Sequence, residues 1–136
     1  MSGSGKTIEL RRVVVTGIGV VSPVGVGKDA FFASLLAGRS GVHRIERFDP
    51  DEYPVKIAAE VRGFDPTHYI EKKTAKRLDR YAQYGVSAAT LALEDSGYPI
   101  AEDPYAVGAL IGSGVGGLDT FLEQTGVLLE KGPTRV

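Results

Sequence analysis

Short runs of consecutive apolar residues alternate along this chain with longer stretches in which apolar positions recur at helical spacing. The run Arg11-Arg12-Val13-Val14-Val15-Thr16-Gly17 is rich in β-branched residues and predicts a central strand of a sheet covered on both faces. A second run, residues 106–111, has the length of a buried strand and empties into Gly112-Ser113-Gly114-Val115-Gly116-Gly117 before a further apolar pattern begins. Strand, glycine turn, helix is the order expected there, and the rest of the chain is organised around it. Residues 28–37 carry Phe31, Phe32, Leu35 and Leu36 at helical spacing, with Gly38 just past the last turn. Residues 39–65 read as irregular, with turn signals at Phe48-Asp49-Pro50 and Tyr53-Pro54 and a short strand at 55–61.

The longest periodic stretch, residues 72–96, predicts one helix with Thr74 as N-cap and Gly97 closing its C-terminus. Its first part, Lys72-Lys73-Thr74-Ala75-Lys76-Arg77-Leu78-Asp79-Arg80, is strongly basic. Its second, Gly85-Val86-Ser87-Ala88-Ala89-Thr90-Leu91-Ala92-Leu93, is small and apolar almost all round. A helix without a polar face is a buried one, so the second part is expected to cross a sheet closely through Gly85, Ala89 and Ala92. A solvated helix start is the plain account of Lys72, Lys73, Lys76, Arg77 and Arg80. Cations in a first turn nevertheless oppose the helix macrodipole, at roughly 0.3 kcal/mol or more each. An acidic protein partner would supply the compensating reason, and the net charge of -1 favours a protein over nucleic acid.

The 136 residues fit one domain with a sizeable core, and 43% hydrophobic with 24% charged content is that of an ordinary soluble protein. The sequence has no cysteine, which excludes disulfides, cysteine-rich zinc sites and a thiol nucleophile within it. No apolar run approaches the ~18 residues of a membrane span, and the N-terminus lacks the apolar core of a signal peptide, so a cytoplasmic location is the default. Residues 1–10 read as a disordered leader, in which Gly5-Lys6-Thr7 imitates the end of a phosphate-binding loop without its earlier glycine or preceding strand. Gly17-Ile18-Gly19 begins a dinucleotide fingerprint but has Ser22 at the third glycine position, so it reads as a turn packed beside the other glycine-rich turn. Asp49, Asp51 and Glu52 read as a solvated turn, not a metal loop. His43 and His68 fall in loop-like segments without metal-ligand spacing, and neither is expected to do chemistry. Gly112, Gly114 and Gly117 do satisfy the dinucleotide spacing, but the confirming strand with an acidic residue about 20 positions on is missing. A tight turn serving packing, or an acyl or thioester pocket, is the preferred reading.

Taken in order, these segments resemble the beginning of a β-ketoacyl-acyl-carrier-protein synthase of the elongating type often called KAS II. The likeness is carried by RRVVVTGIGVVSPVG, LLAGRSGV with IERFD, KRLDRYAQYGVSAATLALEDSG and VGALIGSGVGG, and it runs from Arg11 to Val136. The resemblance implies an α/β protein of thiolase-like fold, in which two βαβαβαββ halves form alternating helix and sheet layers. Residues 11–136 would be the opening part of the first half, a partial N-terminal ketoacyl-synthase domain, and the complete enzyme a homodimer. It further implies that the turn of Gly112, Gly114, Gly116 and Gly117 lines an acyl-chain pocket whose apolar gate is Val115. Lys73, Lys76 and Arg77 match the family's patch for the acidic acyl carrier protein.

The family's reaction is a decarboxylating Claisen condensation, using a cysteine nucleophile, two histidines and a supporting lysine. In the family's order all of these come later than the stretch present, and His43 and His68 do not match them. No catalytic residue, metal or cofactor is therefore expected here. The chain by itself should be inactive and should fold poorly, because its central strands lack neighbours and leave apolar edges unpaired. The alternatives are a non-catalytic carrier-binding or ketosynthase-like module of the chain-length-factor type and, remotely, a dinucleotide-binding domain.

Overall fold

The structure, a computed structural model, describes residues 11–135. The expected leader at 1–10 lies outside the described residues. A two-residue hairpin opens the regular structure, β1 (Val21–Ser22) pairing antiparallel with β2 (Gly25–Val26) in the register Val21↔Val26. Ser22 makes this turn itself, its hydroxyl donating to the Gly25 carbonyl (2.9 Å) and accepting from the Val24 amide (3.3 Å). Helix α1 (Lys28–Leu36) follows, and Gly38, at φ 63°, closes it as its position predicts. Strands β3 (His43–Arg44) and β4 (Ile57–Ala58) pair antiparallel with His43 opposite Ala58. The strand expected over 55–61 is thus only two residues long, and His43 stands in a ladder instead of a loop. A 3₁₀ turn at Pro66–His68 is capped by Asp65, whose carboxylate accepts from the Thr67 amide and hydroxyl.

The single helix expected over 72–96 is two helices, α2 (Lys72–Ala75) and α3 (Arg80–Ser96). The break falls at Asp79, which caps α3 in extended backbone, and a carboxylate that bonds a free amide at a helix start competes with continuation of the helix through it. Glu71, not Thr74, caps α2, its longer side chain reaching the amides of both Lys73 and Thr74 at 2.9 Å. Gly97 closes α3 at φ 62°, as expected. Helix α4 (Leu118–Lys131) starts immediately after the glycine turn.

The two apolar runs depart most from expectation. Neither residues 11–17 nor residues 107–111 carry ladder hydrogen bonds among the described residues, and Ala106 ends a 3₁₀ turn begun at Pro104. A strand is defined by its partner, and among the described residues neither run is hydrogen-bonded to one. What both runs have is a helix. A Cβ on Gly19 would overlap the Ala88 carbonyl and approach the Ala92 amide to 2.6 Å; one on Gly17 would overlap the Ala92 carbonyl. From the same helix, a Cβ on Gly85 would sit 3.1 Å from the Ile111 side chain. Helix α3 therefore crosses both runs at Gly85 and Ala92, as the sequence suggests, with Ala88 at the close contact in place of the expected Ala89, and it lies on unpaired segments instead of a sheet. The Gly17-Ile18-Gly19 turn packs on this helix. Asp95 on α3 pins that turn, accepting from the Ile18 amide at 2.9 Å and pairing with Lys28.

The far side of both runs is bare. Val13 is 91% exposed and Leu110 100% exposed, while Ile70 and Ala75 are the buried hydrophobic residues among those described. The surface of 11176 Å² far exceeds the roughly 6,800 Å² expected of a compact protein of 14.4 kDa.

Candidate functional site

Asp79 stands where the interesting segments meet. One of its oxygens accepts from the Tyr81 amide at the start of α3 (3.4 Å). The other accepts from both the amide and the hydroxyl of Thr120 at the start of α4, each at 2.9 Å and across 41 residues of sequence. These hydrogen bonds, the Thr120 amide foremost, hold the carboxyl below the ordinary aspartate range. Gly117, the N-cap of α4, has no side chain with which to cap, so Asp79 caps α4 from another element. The close approach is visible at Gly117 itself, where a Cβ would come within 3.3 Å of the same carboxylate oxygen.

The glycine turn spans from Ile111, seated against Gly85, to Gly117, seated against Asp79. Between these ends, Gly112, Gly114 and Gly116 have open space where a Cβ would point, and Gly116 takes φ 74°. Val115, at the middle, is 75% exposed and lines none of the cavities found among the described residues. Gly112 and Ser113 do line one, a shallow cleft of about 310 Å³ with Val21, Tyr84 and Gly85. The helix N-terminus that a pyrophosphate would need is already occupied by the Asp79 carboxylate, which counts against a dinucleotide at this turn.

The basic patch is divided by the break between α2 and α3. Lys72 and Lys73 lie in the first turn of α2, compensated by the capping Glu71, whose carboxyl the Lys73 and Thr74 amides hold below its usual range. Lys76 is the C-cap of α2 and Arg77 follows it, so these two sit at the end of a helix, where cations are favoured. The electrostatic anomaly expected of a continuous helix is therefore confined to Lys72 and Lys73. Among the described residues, Lys72, Lys73, Lys76 and Arg77 are exposed and have no carboxylate within salt-bridge distance. Arg80 leaves the patch, donating through Nε to the Tyr84 hydroxyl at 2.9 Å with its guanidinium 5.4 Å from the centre of the Tyr84 ring.

Arg80 and Tyr84 turn towards an open cavity of about 600 Å³, which Arg47, Phe48, Glu60 and Leu122 also line. Arg47 bonds Asp119 there at 2.8 Å, tying the irregular 45–48 segment to the first turn of α4. A smaller cleft of about 500 Å³ joins the two predicted features, with Arg77 and Asp79 on one wall and Gly117, Thr120 and Phe121 on the other.

The structure thus brings Arg77 and Gly117 to one cleft, leaves Lys73 and Lys76 on the adjoining surface, and holds Val115 out in solvent. Sequence reasoning missed Asp79. Its signal was an N-cap residue type lying where a basic stretch changes to an apolar one, inside a periodicity that otherwise reads as continuous. His43 and His68 are both exposed and no metal-binding group of residues is found among the described ones.

Comparison with known proteins gives a consistent result. The family described as "Beta-ketoacyl synthase, N-terminal domain" matches residues 10–135. A 3-oxoacyl-[acyl-carrier-protein] synthase 2 of Vibrio cholerae is 46% identical over 127 residues, covering 93% of this chain and 31% of its own length. The protein of the same name from Coxiella burnetii is 44% identical over 130 residues, 95% of this chain and 31% of its own. Among solved structures, the ishigamide ketosynthase/chain length factor superposes with a TM-score of 0.75 at 33% identity, over 90% of this chain and 30% of that one. A β-ketoacyl synthase from Burkholderia phymatum gives 0.69, also at 33% identity, over 91% and 31%. The chain spans 31% of the length of each of these two curated relatives.

Proposed function

The chain belongs to the β-ketoacyl synthase family and carries the opening part of the thiolase-like fold, and from this premise we propose that it is the N-terminal part of a KAS II-like condensing enzyme. The complete enzyme elongates acyl chains in fatty acid synthesis. The acyl group passes from its carrier's thiol to a cysteine thiolate of the enzyme. Malonyl-carrier loses CO₂, the resulting carbanion attacks the acyl carbonyl, and the cysteine leaves as thiolate, so that the carrier holds a β-ketoacyl chain two carbons longer. None of that covalent chemistry falls to the residues here, since the sequence has no cysteine.

Their part is reception. Lys73, Lys76 and Arg77 receive the acidic acyl carrier protein, and the turn of Gly112, Gly114, Gly116 and Gly117 borders the acyl pocket with Val115 as its gate. The observation that carries this reading is the cleft shared by Arg77 and Gly117, next to cations free of ion-pair partners among the described residues. A surface for an acidic partner thereby adjoins the turn that the partner's cargo would pass. The complete enzyme works as a cytoplasmic homodimer, and no helix among the described residues is long and apolar enough to cross a membrane.

Titration of acyl carrier protein at low salt, read by amide and side-chain resonances, should shift Lys73, Lys76 and Arg77 ahead of other positions. Lys76→Glu with Arg77→Glu should weaken binding at least tenfold, corresponding to about 1.4 kcal/mol. Unchanged spectra, or unchanged affinity in the double variant, would refute the carrier-docking assignment. A second reading has support from the chain-length-factor likeness: a ketosynthase-like protein that binds carrier without condensing. Incubating the complete protein with acyl- and malonyl-carrier separates the two, since only a synthase releases CO₂ and forms the β-ketoacyl product.

A further inference from the structure

The glycine turn is held at both ends by one helix start and one helix face, and only one of these ties is polar. At its upstream end, Ile111 rests on Gly85, an apolar contact that fixes depth but allows sliding. At its downstream end, Asp79 accepts two hydrogen bonds from Thr120 and lies in contact distance of Gly117, while its second oxygen bonds the start of α3. Directional hydrogen bonds set position where packing alone does not. Between these ties Gly114 and Gly116 have open space where a Cβ would point, and the Ser113 hydroxyl accepts from the Gly116 amide at 2.9 Å, which closes the turn on itself without fixing it to a neighbour, so the position of Val115 depends on where the ends are fastened.

We infer that Asp79 is a positioning residue for the gate: its carboxylate fastens the start of α4 to the start of α3 and so sets where Val115 stands at the mouth of the acyl pocket. This rests on the reading of Val115 as a gate given above. Asp79 acts through Gly117 and Thr120 and does not itself meet the acyl chain. Because it lies two positions after Arg77, the segment that receives the carrier is also the segment that fastens the turn.

The test uses the complete enzyme carrying this segment, with Asp79→Asn, Asp79→Ala, Thr120→Val and Gly117→Ala compared with the parent on acyl-carriers of graded length. The last two retain Asp79 and disturb the same contact from the α4 side. In Asp79→Ala and Gly117→Ala the ratio of kcat/KM for long to short chains should shift at least fivefold in a common direction. Asp79→Asn and Thr120→Val, each keeping one acceptor or donor, should fall between, and affinity for acyl-free carrier should stay within twofold throughout. Equal changes at every chain length, or an unchanged profile in Gly117→Ala and Thr120→Val, overturn the inference. The Val115 methyl resonances supply a readout independent of turnover: they should move in all four variants, with faster exchange of the Thr120 amide. If the parent forms no condensation product, the condensing reading fails, and the Val115 signals still decide the positioning role. Methyl signals unchanged in Asp79→Ala sink it whatever the activity.

Discussion

At the scale of single residues, charged groups fasten the described segments where apolar packing is thin. Asp95 holds the Gly17-Ile18-Gly19 turn to α3 by accepting from the Ile18 amide, while the same carboxyl pairs with Lys28 at the start of α1. The Lys28 hydrogen bond is the main cause that lowers the Asp95 carboxyl below its ordinary 3.8, with the Ile18 amide second; the same bond raises Lys28 above 10.5. A carboxyl depressed on folding adds stability that is present above its unfolded value and lost as pH falls through the folded one. The raised lysine adds stability present below 10.5 and lost as pH rises through its folded value. The tie is therefore complete between these limits. The protection of the Ile18 amide, its exchange rate relative to an unstructured amide at the same pH, should hold from neutral pH down to about pH 4 and fall only below it. In Asp95→Asn the protection should be lower at neutral pH and lose its acid-side fall. Both residues are solvent-accessible, so raised salt should weaken the pair as well.

At the scale of elements, α3 is the organiser. Its N-terminus is capped by Asp79 and its C-terminus by Gly97, and its small residues let two chain segments press against its backbone. Glycine at positions 17 and 19 is required by that approach, not by backbone freedom, since neither takes a positive φ. Gly19→Ala should therefore cost roughly 1–3 kcal/mol, as overpacking does where the opposing atoms are main chain and cannot rotate away. Chemical denaturation of the complete protein, compared with Gly108→Ala, which meets open space, measures it; equal effects of the two would refute the packing described. The break before α3 also explains the placement of the cations. A continuous helix would carry Lys76 and Arg77 in its interior, whereas the break leaves them at a helix end, with Arg77 lining the cleft that Gly117 also lines.

At the scale of the whole molecule, the described residues form helices and two small hairpins around apolar runs that are covered on one side. Val13, Val14 and Val15 and, further on, Leu110 and Ile111 remain exposed, as do Phe121, Leu122 and Leu129 on α4. Apolar surface of this extent associates or binds hydrophobic probes. The 136-residue chain alone should bind 8-anilinonaphthalene-1-sulfonate strongly and elute beyond its monomer size in size-exclusion chromatography. A sharp monomer peak without dye binding would show that the runs find cover within the chain itself. The same chain, offered acyl-carrier, should form no acyl-enzyme by mass spectrometry, because no thiol is present to accept the acyl group.

Local chemistry settled much of this in advance. Gly38 and Gly97 announced the ends of α1 and α3, the small apolar face of α3 announced close crossing, and the ordered motifs announced the family. These depend on neighbours in sequence, which is where helix caps and periodicity are written. The strands at 11–17 and 106–111 were read from composition, and the apolar character is real, but a strand also needs a partner at ladder distance, which no residue in the run can supply. Asp79 is the same lesson at a polar site. Aspartate is a capping residue type, yet its second partner, Thr120, lies 41 positions from it, and only the fold could bring that amide within 2.9 Å. Hydrogen bonds between distant segments depend on the path of the chain between them, and that path is set by the packing of every intervening element, not by the residues that finally meet.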